Sequence, residues 1–251
     1  MCGADFARYG GATTCVLAHM GGQFIALDAG TGIMNLPAEV TAQKKLPLLL
    51  THAHADHLLG LPMCSYVMVK GARLDIYGAR RAGLSPRQQV ERLVSPPLWP
   101  ITPDDFLTEL CFHDMPDTMQ LGEVRVDAME GNHSGGVTLL RLKAEGKCFV
   151  FATDCTFSDE LRPELVEFAR GCDLLLADGQ YNDEEWPTRK TFGHSTWRMA
   201  AELAEACGAK RLRVVHHDPT HTDAMLAAWD KTLQEQDPAY AFAREGETIE
   251  L

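Results

Sequence analysis

Thr51-His52-Ala53-His54-Ala55-Asp56-His57-Leu58-Leu59-Gly60-Leu61-Pro62 follows directly on the apolar run Leu46-Pro47-Leu48-Leu49-Leu50. An apolar run that ends in metal-ligating side chains reads as a strand delivering ligands at its carboxyl end. Imidazole and carboxylate are donors that zinc, iron and manganese accept. Four such groups, His52, His54, Asp56 and His57, this close in sequence cannot all point at one tetrahedral ion. Their spacing suits two adjacent ions, with His52 and His54 turned to one and Asp56 and His57 to the other. The chain has 10 His in 251 residues, so three of them packed into one short loop is not a chance distribution.

A two-ion site needs more donors than one loop holds, and later strand ends offer them. Val126-Asp127-Ala128-Met129-Glu130-Gly131-Asn132 runs into His133, Phe149-Val150-Phe151-Ala152-Thr153 into Asp154, and Leu212-Arg213-Val214-Val215 into His216. Asp154 is the candidate bridge, because the two oxygens of a carboxylate can serve two ions. Singly, such a residue reads as a hydrogen-bonded turn. Together with the histidine loop, the set reads as a metal site.

Composition bounds the rest. At 251 residues and 45% hydrophobic content, the chain can bury a large core, and a single domain over 1–251 is expected. No apolar run is long enough to cross a membrane. Met1-Cys2-Gly3-Ala4-Asp5-Phe6 has no basic stretch followed by an apolar one, so no signal peptide is read and a cytoplasmic location is expected. The net charge of −12 argues against a nucleic-acid groove, which needs clustered Lys and Arg. Cys2, Cys15, Cys64, Cys111, Cys148, Cys155, Cys172 and Cys207 include no C-x-x-C pair, so reduced, core-lying thiols are expected. Cys155 follows a candidate ligand but reads as a small buried hydrophobe.

There is no internal repeat. Thr13 to Ala18 and Phe24 to Asp28 read as strands joined through Met20-Gly21-Gly22, and Leu74-Asp75-Ile76-Tyr77 as another. Ser85-Pro86 starts a helix. Ser95 to Asp105 is a proline-rich irregular loop, either a pocket wall or a cover for the core or a subunit contact. Val124 to Met129, Val137 to Leu142, Cys148 to Thr153 and Leu174 to Ala177 form a second strand-rich block. Ser195 is expected to cap a helix closed by Gly208, and Thr222 to cap the last one. Strands followed by helix in each half suit two sheets with helices outside.

In order, Asp28, the His-Ala-His-Ala-Asp-His run, His133, Asp154 and His216 resemble the motifs of the metallo-β-lactamase superfamily, from Tyr9-Gly10-Gly11 to His217-Asp218-Pro219. The resemblance implies an α+β fold, a four-layer αββα sandwich with the metals where strand ends meet. It implies that His52, His54 and His133 hold one ion, that Asp56, His57 and His216 hold the other, and that Asp154 bridges. Asp28 would fix the ligand loop by hydrogen bonds without touching metal. His216 and His217 compete for the last ligand. His216 is favoured because it ends the strand, which leaves His217 to the pocket or to the layer behind the ligands. Two divalent ions are implied, zinc first, with manganese or iron suiting the same donors.

Gly193-His194-Ser195-Thr196 resembles the His-Ser-Thr motif of ribonuclease Z and related phosphodiesterases, in which a histidine paired with an upstream acid protonates the leaving oxygen. Here Asp178 is the matching acid, and the catalytic residues implied are Asp56, Asp178 and His194. Two departures count against transfer RNA as substrate: no Gly/Pro-rich basic arm is inserted, and no His precedes Asp178 in its motif. Smaller bacterial phosphodiesterase-like members share the Gly-His-Ser-Thr-Trp and His-His-Asp-Pro segments. They begin with an extra strand before the Tyr-Gly-Gly segment, so either this start is truncated or Met1-Cys2-Gly3 stands in for that strand. The expected function is dinuclear hydrolysis of a small, cyclic or short nucleotide-like phosphodiester, with a metal-bridging hydroxide as nucleophile and His194/Asp178 as proton donor. The expected partner is that small substrate, with no long nucleic acid and no membrane; a homodimer is compatible with the sequence. The alternatives are hydrolysis of a carboxylic ester, thioester or lactone on the same metals, and a metal-dependent sensor without turnover.

Overall fold

The computed structural model describes residues 3–251, so Met1 and Cys2, and the expectations attached to them, lie outside the described residues. Its contacts resolve into two compact units. One is Ala12–Ala128; the other joins Met1–Gly11 to Met129–Leu251.

In the Ala12–Ala128 unit, β1 (Val16–Met20) and β2 (Gln23–Leu27) form the hairpin expected from Gly21-Gly22, both glycines having positive φ. The short helix α1 (Ala38–Ala42) leads to β3 (Lys45–Leu50), and α2 (Ala55–Leu58) follows the ligand loop. β4 (Arg73–Gly78), α3 (Pro86–Leu93) and β5 (Glu109–Asp114) complete a sheet of order β1-β2-β3-β4-β5. From β2 onward its strands are parallel. Pro47 sits inside β3 without breaking it, because pairing with β2 begins one residue later, at Ala26↔Leu48. Leu46, Leu48 and Leu50 alternate onto one face and pack with Leu74, Ile76, Val90 and Val94. Helix α3 starts at Ser85-Pro86 as expected, and Ser85 and Gln88 close a capping box on it. The hairpin of β6 (Thr118–Leu121) with β7 (Val124–Gly131) ends this unit.

The other unit begins within β7. β8 (Val137–Ala144) and β9 (Lys147–Ala152) form a hairpin. Helix α4 (Arg162–Ala169) precedes β10 (Leu174–Asp178). After them come α5 (Trp186–Arg189), α6 (Trp197–Cys207), β11 (Leu212–Val215), α7 (Asp223–Gln236) and β12 (Tyr240–Phe242). The strands β9, β10, β11 and β12 are parallel neighbours, so their carboxyl ends share one edge. Val150, Ala152, Leu175, Ala177, Leu212 and Val214 are fully buried beneath Ala200, Leu203 and Ala204 of α6.

One expectation is corrected here. The cap of α6 is Thr196, whose side chain accepts from Met199 N, and Gly208 closes the helix in the left-handed conformation. Ser195 instead donates to Cys155 O at 2.7 Å and accepts from Phe157 N at 2.9 Å, a cross-tie that takes its hydroxyl away from the helix end. Among the described residues no cysteine is in a disulfide, and no helix is long and apolar enough to cross a membrane.

Candidate metal centre

The parallel register of β2 and β3 sets Leu27 beside Leu49, so Asp28 and Thr51 leave the sheet side by side. Asp28 is fully buried. Its Oδ1 accepts from Thr51 N and its Oδ2 from Thr51 Oγ1, each at 2.8 Å. The same Oδ2 accepts a hydrogen bond from His57 Nδ1 at 2.8 Å. Burial pushes the Asp28 carboxyl above its ordinary pKa, and the His57 imidazole and the Thr51 bonds pull against that. Thr51 Oγ1, already donating to Asp28, accepts from His52 Nδ1 at 3.0 Å.

Both His52 and His57 therefore spend Nδ1–H on the protein and present Nε2, the arrangement that orients imidazole ligands. His52 Nε2 meets His54 Nδ1 at 2.9 Å, and His57 Nε2 lies 3.4 Å from Asp56 Oδ2. The His52 ring lies 4.4 Å from that of His54 and 4.3 Å from that of His57, centroid to centroid, so the loop gathers its imidazoles in one place. The backbone is held tightly enough to require glycine: a Cβ on Gly30 would stand 2.3 Å from Asp56 O, and one on Gly60 would stand 2.0 Å from Gly30 O.

In the other unit the carboxyl edge of β9, β10 and β11 carries Asp154, Asp178 and His216. His216 Nε2 lies 3.1 Å from Asp154 Oδ2, and His133 Nε2 lies 4.0 Å from the same oxygen. Asp154 Oδ1 is occupied by the Thr153 hydroxyl at 2.6 Å, which leaves Oδ2 to the imidazoles. His133 donates Nδ1–H to Gly193 O at 2.8 Å, so it too presents Nε2. Asp154 at φ 52 and His216 at φ 62, like Asp28 at φ 60, occupy the left-handed region that non-glycine residues avoid. Three candidate residues are thus held in costly backbone conformations, which persist only where surroundings over-determine them.

Asp178 and His194 form the second constellation of this unit. Asp178 is fully buried; its Oδ2 accepts from His194 Nδ1 at 2.8 Å and its Oδ1 from Ser195 N at 2.8 Å. The His194 ring stacks on that of His216, centroids 4.9 Å apart, and stands 5.0 Å from that of His133. One donor atom each from His133, Asp154 and His194 falls within 4.8 Å of the others. A buried carboxylate behind an imidazole fixes the ring and leaves Nε2 as its outward nitrogen, which suits a proton donor.

His217 turns elsewhere. Its ring lies against Tyr9 and Phe242, and Nε2 donates to Ala243 O at 3.1 Å. Burial lowers its pKa to about 4. Cys155 is fully buried, and burial pushes its thiol up to about 12, so it holds no nucleophile at neutral pH. Thr51, Thr153 and the Gly193 carbonyl were not singled out by sequence reasoning. A hydroxyl preceding a ligand is a usable signal for the two threonines; nothing in a sequence marks a carbonyl.

The donor chemistry of both units fits divalent metal, with oxygen and imidazole nitrogen only, aimed in close pairs and backed by hydrogen bonds.

A family model described as the beta-lactamase superfamily domain matches residues 24–217. Ribonuclease Z of Trichodesmium erythraeum is 31% identical over 106 residues, which span 42% of this chain but only 32% of that relative. Ribonuclease Z of Acaryochloris marina is 24% identical over 83% of this chain and 80% of its own length. Among solved structures, the metallo-beta-lactamase fold protein YhfI from Bacillus subtilis is 18% identical, with a TM-score of 0.69 over 96% of this chain and 92% of its own. The short form of human tRNase Z is 20% identical, with a TM-score of 0.70 over 98% and 95%. These structural likenesses show the α+β metallo-β-lactamase fold.

Proposed function

The chain belongs to the metallo-β-lactamase superfamily, a superfamily of hydrolases, and from that membership we propose that it hydrolyses a small phosphodiester. In this reading His52, His54, Asp56, His57, His133, Asp154 and His216 hold two divalent ions, zinc first. Bound divalent ions lower the pKa of water from about 15.7 towards about 7 and neutralise charge growing on the phosphoryl oxygens.

The protein's own part is positioning and proton transfer. Asp28 locks Thr51 and His57 and so holds the ligand loop in place. His194 delivers a proton from Nε2 to the leaving alkoxide while Asp178 keeps its Nδ1. An alkoxide is a poor leaving group, so this step carries weight for an unactivated diester. The observation that supports diester cleavage over thioester chemistry is the Asp178–His194 pair, at 2.8 Å and beside the ligand-type residues of its own unit. Acyl transfer to water needs no such donor when the leaving group is a thiolate.

A panel of phosphodiesters, phosphomonoesters, thioesters, lactones and lactams, offered to protein reconstituted with zinc or manganese, tests the reading. Turnover of diesters is expected, with about two metal equivalents by elemental analysis. Turnover confined to thioesters, lactones or lactams would overturn it in favour of acyl hydrolysis. Metal uptake with no turnover of any class would favour a sensor.

A further inference from the structure

The segment joining Asp178 to His194 carries groups that the proton transfer leaves unused. Phe192 is 51% exposed, and among the described residues it is the one exposed aromatic side chain. It immediately precedes Gly193, whose carbonyl accepts from His133 Nδ1 at 2.8 Å. At Gly193, φ is +87, and a Cβ there would stand 2.4 Å from His133 Nδ1. The backbone beside Phe192 therefore closes directly on one candidate ligand, and the next residue is the candidate proton donor.

The ring is also set from one side. The Arg189 guanidinium lies 5.5 Å from the Phe192 centroid and 5.7 Å from that of Tyr181. Tyr181 is buried and stands edge-on to the His194 ring at 6.0 Å. Arg189 and Lys190 are themselves exposed. Phe192 is thus half exposed with one guanidinium over its ring, in a chain whose net charge is −12.

We propose that Phe192 contacts the substrate by stacking on an aromatic base in the leaving half of the diester, which makes the leaving alcohol a nucleoside. The proposal rests on the phosphodiester reading above. In that reading His194 protonates the leaving oxygen, and Phe192 is the exposed aromatic side chain on the segment that carries it. Every nucleobase has a π-face, and stacking one base on an aromatic ring is worth roughly 5- to 150-fold in affinity. Arg189 holds the ring from behind, and with Lys190 supplies positive charge towards an anionic substrate.

Two diesters that share one nucleotide half test this: a dinucleoside monophosphate, whose leaving alcohol is a nucleoside, and the methyl ester of the same nucleotide, whose leaving alcohol is methanol. In Phe192→Ala the ratio of their kcat/KM values should fall roughly 5- to 150-fold from wild type. Phe192→Trp should restore the ratio and Phe192→Leu should not. Binding of a nucleoside monophosphate to the metal-loaded protein, followed by calorimetry, should weaken in Phe192→Ala and recover in Phe192→Trp. An unchanged ratio, or equal rescue by Leu and Trp, overturns the stacking role while leaving diester hydrolysis standing. Nucleotide binding that depends on an aromatic residue at this position, in a protein that cleaves no diester, supports the stacking role and removes the reaction assigned above.

Discussion

His194 shows what a single side chain can and cannot reveal before its partners are seen. The Gly193-His194-Ser195-Thr196 motif points to it, and Asp178 follows as the acid at the end of an apolar strand; in the structure the two are joined at 2.8 Å. If His194 gives a proton to the leaving oxygen, His194→Ala should leave folding and metal content intact and slow an alkyl diester by roughly 10²–10⁴-fold. A nitrophenyl diester should lose far less, because its leaving group departs without a proton. Asp178→Asn should show a milder form of the same pattern. Equal slowing of both substrates would instead assign His194 to binding or metal positioning. Other residue-scale features stay hidden in sequence. The left-handed backbone at Asp28, Asp154 and His216 uses residues that do not advertise positive φ as glycine does. The division of labour between His216 and His217 depends on a backbone turn that sends one ring to Asp154 and its neighbour to Phe242.

Among the secondary elements, the ones that sequence makes legible are those with strong boundaries. α3 has its capping box, α6 its Gly208, α7 its Thr222, and β3 an unbroken apolar run. The elements missed are α4, which has no side-chain cap at its start, and several sheet-edge or short ones. β5 lies at a sheet edge and begins and ends in charged residues, β6 is a four-residue edge strand, and β12 has three residues. Edge strands bury less and admit charge, so their periodic signal is weak. The amino-terminal segment is anchored by an element contact that a sequence does not display: the Tyr9 hydroxyl donates to Asp230 of α7 at 2.9 Å. Burial, with the Asp230 carboxylate, pushes the Tyr9 pKa up to about 12 from an ordinary value of about 10. The folded state therefore holds this proton more tightly than the unfolded chain. The contribution is fully present below about pH 10 and is lost as pH rises through about 12. Urea melts of wild type and Tyr9→Phe at stepped pH should show wild type ahead at neutral pH and the gap closing across that window. A gap constant to pH 12 would remove the bond from the anchor.

For the whole chain, net charge bears on which kind of phosphodiester the proposed activity would take. The balance is Lys+Arg 23 against Asp+Glu 35, and long nucleic acid is held chiefly by clustered cations that displace counterions. The ribonuclease Z relatives that match most of this chain do so at only 24–26% identity. Substrate size is therefore better argued from this chain's own charge than from its relatives. A protein that gripped several phosphates of a transfer RNA precursor would bind it with a steep salt dependence, losing about 10³–10⁵ in affinity between 50 and 200 mM salt for 6–10 contacts. A dinucleotide with one or two phosphates makes few such contacts, so its KM should shift only a few-fold over the same range. We expect efficient cleavage of the dinucleotide and no measurable processing of a precursor transfer RNA at 150 mM salt, assayed side by side on one metal-loaded preparation. Precursor cleavage with a kcat/KM above that of the dinucleotide, falling steeply with added salt, would mean that the local positive charge at Arg189 and Lys190 outweighs the net charge of −12 and that the substrate is a polynucleotide.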